Sequence, residues 1–379
     1  MAKAERRQDS PPAGPRYTSS LYGQAAAEAE LLSAYRSGRM AHGWLLTGPV
    51  GVGKATLAHR LARFVAAYPD FQAEAVSKAK DLALADDHSV ARRIRAHAFP
   101  DVVEIAAETS QTTAARSRPV IKVAAIHRGL KGLATTAGAG GWRIVIVDAA
   151  DDMNLSAANA ILKRLEEPPK RTLFMLISHA PGRLLPTIRS RCRRLDLLPL
   201  GPEDLRRALG EAQAFGNTRG GLSPAGIPAE IIALAGGSAG EALRLMEEGG
   251  AELARDLMRL VGSLPRLDLA FAHKLAGRLT AQKADPEFRL FCDLLLDWLA
   301  EAVRAAQTGQ PGKFAALEPE GGFAMFNGHA HAPSLAQWAA LWENLAQAHG
   351  RTLGLNLDRK QFLLNAFFAL DSVAGGRGP

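Results

Sequence analysis

Apolar residues along this chain fall in two rhythms, solid runs of four to seven residues and helical spacing, and the changes between them mark its elements. The segment Leu21 to Arg39, rich in Ala, Glu and Leu, reads as a helix. Trp44 to Thr47 is a short apolar run that predicts a strand. It leads into a glycine-rich turn, Gly48 to Gly53, and then into a helix with Leu57, Leu61, Phe64 and Val65 on one side. Val102 to Ile105 predicts a second strand, and the polar stretch over 106–119 a surface loop. Gly138 to Gly141 then opens onto Trp142 to Asp148, whose sequence WRIVIVD fits a strand buried on both faces, as in parallel sheets. Ala158, Ile161, Leu162 and Leu165 recur at helical spacing, with Asn154 or Ser156 as N-cap and Pro168-Pro169 as the stop. Leu173 to Ile177 predicts a further buried strand.

Strands and helices alternating in this order predict an α/β domain, a parallel sheet flanked by helices, over 19–200, with its ligand site at the strand C-termini. From Gly201 the strand signals stop. A small helical module over 201–250 ends near the glycines Gly236 to Gly240, and 251–379 reads as all helical. There Asp285 and Pro286 form a cap and first-turn pair, while Phe288, Phe291, Leu295, Trp298 and Ala302 line one face. Residues 1–18 read as a disordered basic tail.

Composition narrows the class. With 379 residues, 47% hydrophobic and 22% charged, the chain has material for two or three domains. No uncharged apolar run approaches the roughly 20 residues of a bilayer span. The N-terminal sequence MAKAERRQDSPPAGPRYTSS lacks the apolar stretch of a secretory signal. Two cysteines, Cys192 and Cys292, neither demand a disulfide nor supply a zinc quartet, so a cytoplasmic protein without zinc is expected. The formal charge of +8 favours polyanions without saying where they would bind.

Chemistry concentrates at three places. Gly48-Pro49-Val50-Gly51-Val52-Gly53-Lys54 fits the phosphate loop G-x-x-x-x-G-K, and it stands between a strand and a helix as that motif requires. Its glycines let backbone N–H groups surround phosphate oxygens, and Lys54 adds a charge. The next residue is ordinarily Ser or Thr, whose hydroxyl ligates Mg²⁺, but here it is Ala55; Thr56 is rotated about 100° around the helix and substitutes poorly. Asp148 ends the WRIVIVD strand where a Walker B carboxylate acts on Mg²⁺. Hydrolysing enzymes place a Glu after it, and this chain has Ala149, which takes no proton. Asp151 and Asp152 read as a solvated turn or helix cap rather than replacement bases. ATP or ADP, with weak Mg²⁺ dependence, fits this loop; turnover does not. Finally, GRLLPTIRSRCRRLD carries Arg183, Arg189, Arg191, Arg193 and Arg194 against one acid. It is either a basic edge facing solvent or DNA, or the source of an arginine that reaches a neighbour's nucleotide.

The order and spacing of NAILKRLEEPP (Asn159 to Pro169) and LFMLISHAPGRLLPTIRSRC (Leu173 to Cys192) resemble the LLKxLEEPP and SRC signatures of bacterial AAA+ clamp-loader subunits. The resemblance extends upstream over Ala41 to Val65, covers about residues 20–250 well, and reaches the NLDRK of Asn356 to Lys360 weakly. It implies a P-loop domain, a helical lid and a helical collar for oligomerisation, within a ring in which motor subunits bind ATP, open a sliding clamp and place it on primed DNA. It implies that Arg191, with Ser190 beside it, is an arginine finger acting in trans, and that Ser178 occupies the sensor-one position. Gly240 stands where motor subunits carry a sensor-two Arg. The implied partners are gamma/tau motor subunits, a delta subunit, the clamp and primed DNA, with no membrane. Lost nucleotide contacts beside a retained finger resemble the stator of the loader rather than a motor. The alternatives are a gamma/tau-type motor ATPase, a free-standing P-loop enzyme such as a nucleotide kinase, and a DNA-binding adaptor that ignores nucleotide.

Overall fold

Five parallel strands form the spine of the first of two units. They are β1 (Gly43–Thr47), β2 (Val102–Ala106), β3 (Arg143–Asp148), β4 (Thr172–Ser178) and β5 (Arg193–Asp196), in the spatial order β2-β3-β4-β1-β5. The computed structural model describes residues 14–107, 120–131, 141–214, 226–282, 284–310, 312–317 and 334–376. The expected surface loop over 106–119 and the glycines before Trp142 lie for the most part outside them. The first unit takes in the described residues up to 214 with Gly237–Gly240; the second takes in residues 226–236 and those from Glu241 onward.

Solid apolar runs became strands covered on both faces. Alternate residues of β1, β3 and β4 enter two separate cores: Trp44, Leu46, Ile144, Ile146, Leu173, Met175 and Ile177 face one way. Leu45, Val145, Val147, Phe174 and Leu176 face the other. The first core is closed by α1 (Ala25–Arg36) and α2 (Lys54–Ala67), with the short α3 (Glu74–Lys78) and α4 (Ser89–Arg95) at its margin. The second is closed by α5 (Val123–Leu130), α6 (Leu155–Glu166) and the one-turn α7 (Pro186–Arg189), and α8 (Pro202–Ala214) follows the last strand. Asn154 is the cap of α6, its side chain accepting from the Ala157 N–H at 2.8 Å. This is the parallel α/β sheet that the alternation predicted. The edge strand β5 was not predicted, because in Arg193–Asp196 only Leu195 is buried and the apolar pattern is absent.

The tail expected over 1–18 is ordered from Gly14, and residues 1–13 lie outside the described ones. Arg16 is buried, donating to the Ile94 carbonyl at 2.9 Å and pairing with the Glu104 carboxylate. Arg63 donates to the carbonyls of Arg16 at 2.9 Å and Thr18 at 2.7 Å. The buried Arg63 guanidinium on α2 therefore holds this segment, a pairing at long sequence range that composition does not reveal.

The second unit is helical: α9 (Ala229–Leu234), α10 (Ala239–Glu247, whose first two residues belong to the first unit), α11 (Gly250–Gly262), α12 (Leu269–Leu279), α13 (Asp285–Thr308), α14 (Leu335–Gly354) and α15 (Arg359–Ala374). Phe288, Phe291, Leu295, Trp298 and Ala302 are buried along α13, on the expected face. Asp285 is not the cap of that helix. Ala284 takes the N-cap position, and the Asp285 carboxylate meets Arg289 at 3.0 Å and Arg359, so charge pairing replaced capping. No described helix is long and apolar enough to cross a membrane.

The His59 ring, 3.6 Å from Glu104, and the Arg16 guanidinium pull the Glu104 carboxyl from 4.5 down to about 2, against the upward push of burial. A carboxyl lowered on folding stabilises above its ordinary range and loses that effect as pH falls through its folded value. Glu104→Gln is therefore expected to lower the urea unfolding free energy by about 2 kcal/mol at neutral pH. The gap from wild type should close between about pH 4.5 and pH 2; a gap indifferent to pH would rule this account out.

Candidate functional site

The turn leaving β1 is built on positive backbone angles. Gly48 has φ +141°, and a Cβ there would lie 2.3 Å from the Leu197 carbonyl oxygen, so no other residue fits. Gly51 has φ +75°, and its Cβ would lie 2.3 Å from Ser238 Oγ and 2.8 Å from Gly240 N. The loop is packed against its own chain. Gly240 N donates to the Gly51 carbonyl at 3.3 Å, and Gln24 Nε2 donates to Val52 O at 3.2 Å and Leu198 O at 2.7 Å. Val52 is buried, whereas Val50 at the tip is 63% exposed.

Lys54 opens α2 and is buried. Its ammonium donates to the Gly48 carbonyl at 2.6 Å and to that of Pro49. Burial brings its pKa down to about 8, opposed by Asp148 and Asp151. Ala55 packs its methyl against the first core, and Thr56 is partly buried. Asp148 ends β3, where burial and the negative charge of Glu104 push its carboxyl up to about 6, with Lys54 opposing. Ala149 beside it is buried.

Ser178 is fully buried at the end of β4, and its hydroxyl donates to Asp151 Oδ1 at 2.5 Å. The other carboxylate oxygen of Asp151 accepts from the backbone N–H of His179 at 2.5 Å and of Ala180 at 3.0 Å. Asp151 is thus neither a solvated turn residue nor a helix cap; it clamps the exit of β4. The ends of β1, β3 and β4 gather Lys54, Asp148 and Ser178, and the Ser178 hydroxyl is committed to Asp151.

Ser190 and Arg191 are elsewhere. Ser190 Oγ donates to the Thr187 carbonyl at 3.1 Å, as does Arg191 Nη1 at 3.1 Å, and Arg191 Nη2 pairs with Glu166 Oε1 at 2.9 Å. The residue precedes β5, whose Arg193 is in register with Trp44 of β1. A Cβ on Gly43, the first residue of β1, would lie 3.3 Å from the Arg191 carbonyl oxygen. The phosphate loop leaves the opposite end of β1, and five residues at about 3.3 Å each separate the two by roughly 16 Å. Arg191 cannot serve the pocket of its own chain. Arg193 lies over the Trp44 ring and pairs with Glu30 at 2.7 Å, and Arg194 pairs with Asp196 at 2.8 Å.

The family model described as "DNA polymerase III, delta subunit" matches residues 23–201. The DNA polymerase III subunit delta' of Pseudomonas aeruginosa is 33% identical over 261 residues, 68% of this chain and 71% of that one. The chain belongs to the DNA polymerase III delta-prime family. The delta-prime subunit of Escherichia coli is 28% identical over 279 residues, 73% of this chain and 75% of its own. The tau subunit of Escherichia coli is 28% identical over 195 residues, only 27% of its length. The delta-prime match thus extends past the P-loop unit of this chain.

Sequence reasoning passed over Gln24 and Glu166, and it undervalued Asp151. Asp151→Ala would strand a buried hydroxyl and two backbone donors, so it is expected to cost about 2 kcal/mol in urea unfolding. Asp151→Asn, which keeps an acceptor, should recover part of that; equal losses in both variants would show that the carboxylate contacts are not what matters.

Proposed function

We propose that this chain is the stator of a DNA polymerase III clamp loader, helping to place the sliding clamp on primed DNA. In this reading Arg191 acts in trans on the ATP site of a neighbouring gamma/tau-type motor subunit, and the chain itself hydrolyses little or no ATP. The observation that carries the reading is the roughly 16 Å of strand between Arg191 and the chain's own phosphate loop. An arginine at that end of the sheet can meet phosphate only in another subunit.

The pocket supports the second half of the proposal. Ala55 lacks the metal hydroxyl and Ala149 lacks the base. Gly240, at the sensor-two position, presses its backbone on Gly51 where a side chain would crowd the loop. Lys54 and the glycines still suit ATP or ADP bound weakly and with little dependence on Mg²⁺, and no zinc is called for. A gamma/tau-type motor would need the groups that Ala55, Ala149 and Gly240 replace. An adaptor indifferent to nucleotide leaves the loop ending in Lys54 without a purpose.

Delta and gamma/tau subunits are the proposed partners, with the helical domain over 251–379 as the collar that joins them and 201–250 as the lid. Leu355, Leu357 and Phe368 are 68%, 49% and 46% exposed in that domain, apolar surface suited to packing against counterpart helices. Both cysteines are free and buried, in keeping with a cytoplasmic setting.

In a loader reconstituted with gamma/tau and delta subunits, Arg191→Ala is expected to leave assembly intact. Turnover at the adjoining ATP site should fall by a factor on the order of 10³, as for other arginine fingers. Unchanged ATPase and clamp loading would sink the finger, and vigorous Mg²⁺-dependent hydrolysis by the isolated chain would sink the stator. Deleting residues from about Ala251 onward is expected to abolish co-assembly on size exclusion, and a truncated chain that still entered the loader would remove the collar from the proposal.

A further inference from the structure

α6 ends with Glu166, a carboxylate at the terminus where the unsatisfied carbonyls of a helix already gather negative charge and where cations are the favoured side chains. Helix stability does not ask for an acid there. Among the described residues its carboxylate pairs with the Arg191 guanidinium at 2.9 Å. A second grip comes from the Thr187 carbonyl on α7, which accepts from the other terminal nitrogen at 3.1 Å. Thus two elements, α6 and α7, hold one planar fork between them, while the Arg191 side chain stays 37% exposed.

We infer that Glu166 is a positioning residue for the finger: it fixes the Arg191 guanidinium at the rim of the sheet in the place from which it meets the neighbouring subunit's nucleotide. This rests on the proposed role of Arg191. A long side chain at the edge of a fold otherwise samples many rotamers, and each must be given up when the guanidinium engages phosphate. The planar fork loses less per contact when already oriented. The pair does not act by strengthening the charge, since a carboxylate beside a cation weakens its field. Nor does it act through fold stability, because an ion pair exposed by more than a third on both sides contributes little. What remains is geometry, and geometry depends on an acceptor at that point rather than on its charge.

The test uses the full-length chain in the reconstituted loader, measuring steady-state ATPase at saturating and limiting ATP together with thermal unfolding of the free chain. Glu166→Ala should lower kcat about tenfold with KM for ATP and the melting temperature unchanged, as expected when a catalytic group is loosened rather than lost. Glu166→Gln, which keeps an acceptor, should stay within about twofold of wild type. The double variant with Arg191→Ala should be no slower than Arg191→Ala alone, because both changes act through one group. If Arg191→Ala slows the loader while Glu166→Ala does not, the finger stands and the positioning role is overturned. If Glu166→Ala speeds the loader, Glu166 restrains the finger instead, which also overturns it. If Arg191→Ala itself changes nothing, the finger reading is the one that fails.

Discussion

A parallel strand has a direction, and in this chain the direction of β1 decides what each end of the first unit can do. At its C-terminal end the backbone turns through Gly48 and Gly51 into Lys54, and β4, in parallel register beside it, and β3, in register beside β4, bring Ser178 and Asp148 to the same rim. At its N-terminal end β5 enters beside Trp44 with Arg191 just ahead. The register leaves no freedom here. Moving Arg191 to the pocket would mean breaking the ladder that connects β5 to β1, so Arg191 and the phosphate loop are held apart by backbone hydrogen bonds rather than by side-chain choice.

The pocket end, on the proposed reading, keeps a phosphate loop that does not drive hydrolysis. A buried ammonium needs acceptors, and Lys54 has them in the carbonyls of Gly48 and Pro49. A phosphate that recruits Lys54 competes with those carbonyls. It gains neither a metal hydroxyl at Ala55 nor a second charge from position 240 in return. Burial and the negative charge of Glu104 push the Asp148 carboxyl up to about 6, with Lys54 opposing. Ser178 cannot turn to a nucleotide without abandoning Asp151. At Lys54 and at Ser178 the protein's own atoms already hold the group that a nucleotide would need.

Much of this was legible in the sequence, because β1, β3 and β4 are covered on both faces and so are apolar throughout, and because a phosphate loop is defined by local spacing. The losses at Ala55 and Ala149 could be read off directly. What escaped were pairings between distant residues. β5 is an edge strand written in arginine and aspartate, so its pattern is polar. Arg16 looked like tail because its acceptors lie on α4 and β2, and Asp285 looked like a cap because the arginines that claim it, Arg289 and Arg359, are visible only in the fold. Glu166 sat inside a recognisable signature and was taken as part of the pattern, since nothing local shows that an acid at the end of α6 reaches across to residue 191.

The arginine-rich stretch shows why a count of charges misleads. Arg193 and Arg194 lie within β5, where the register with Trp44 and Leu45 fixes their backbone, and each is paired with an acid of its own unit. Such residues are partly neutralised where they stand, so the basic run is a weaker polyanion surface than its composition suggests. Arg191 is paired as well, yet it differs from them in where it stands. It precedes the strand, at the rim rather than in the ladder, and its carboxylate partner Glu166 stands at the C-terminal end of α6. Among three arginines paired in similar ways, position relative to the sheet separates the one proposed to act on another subunit from those that stitch the edge of their own.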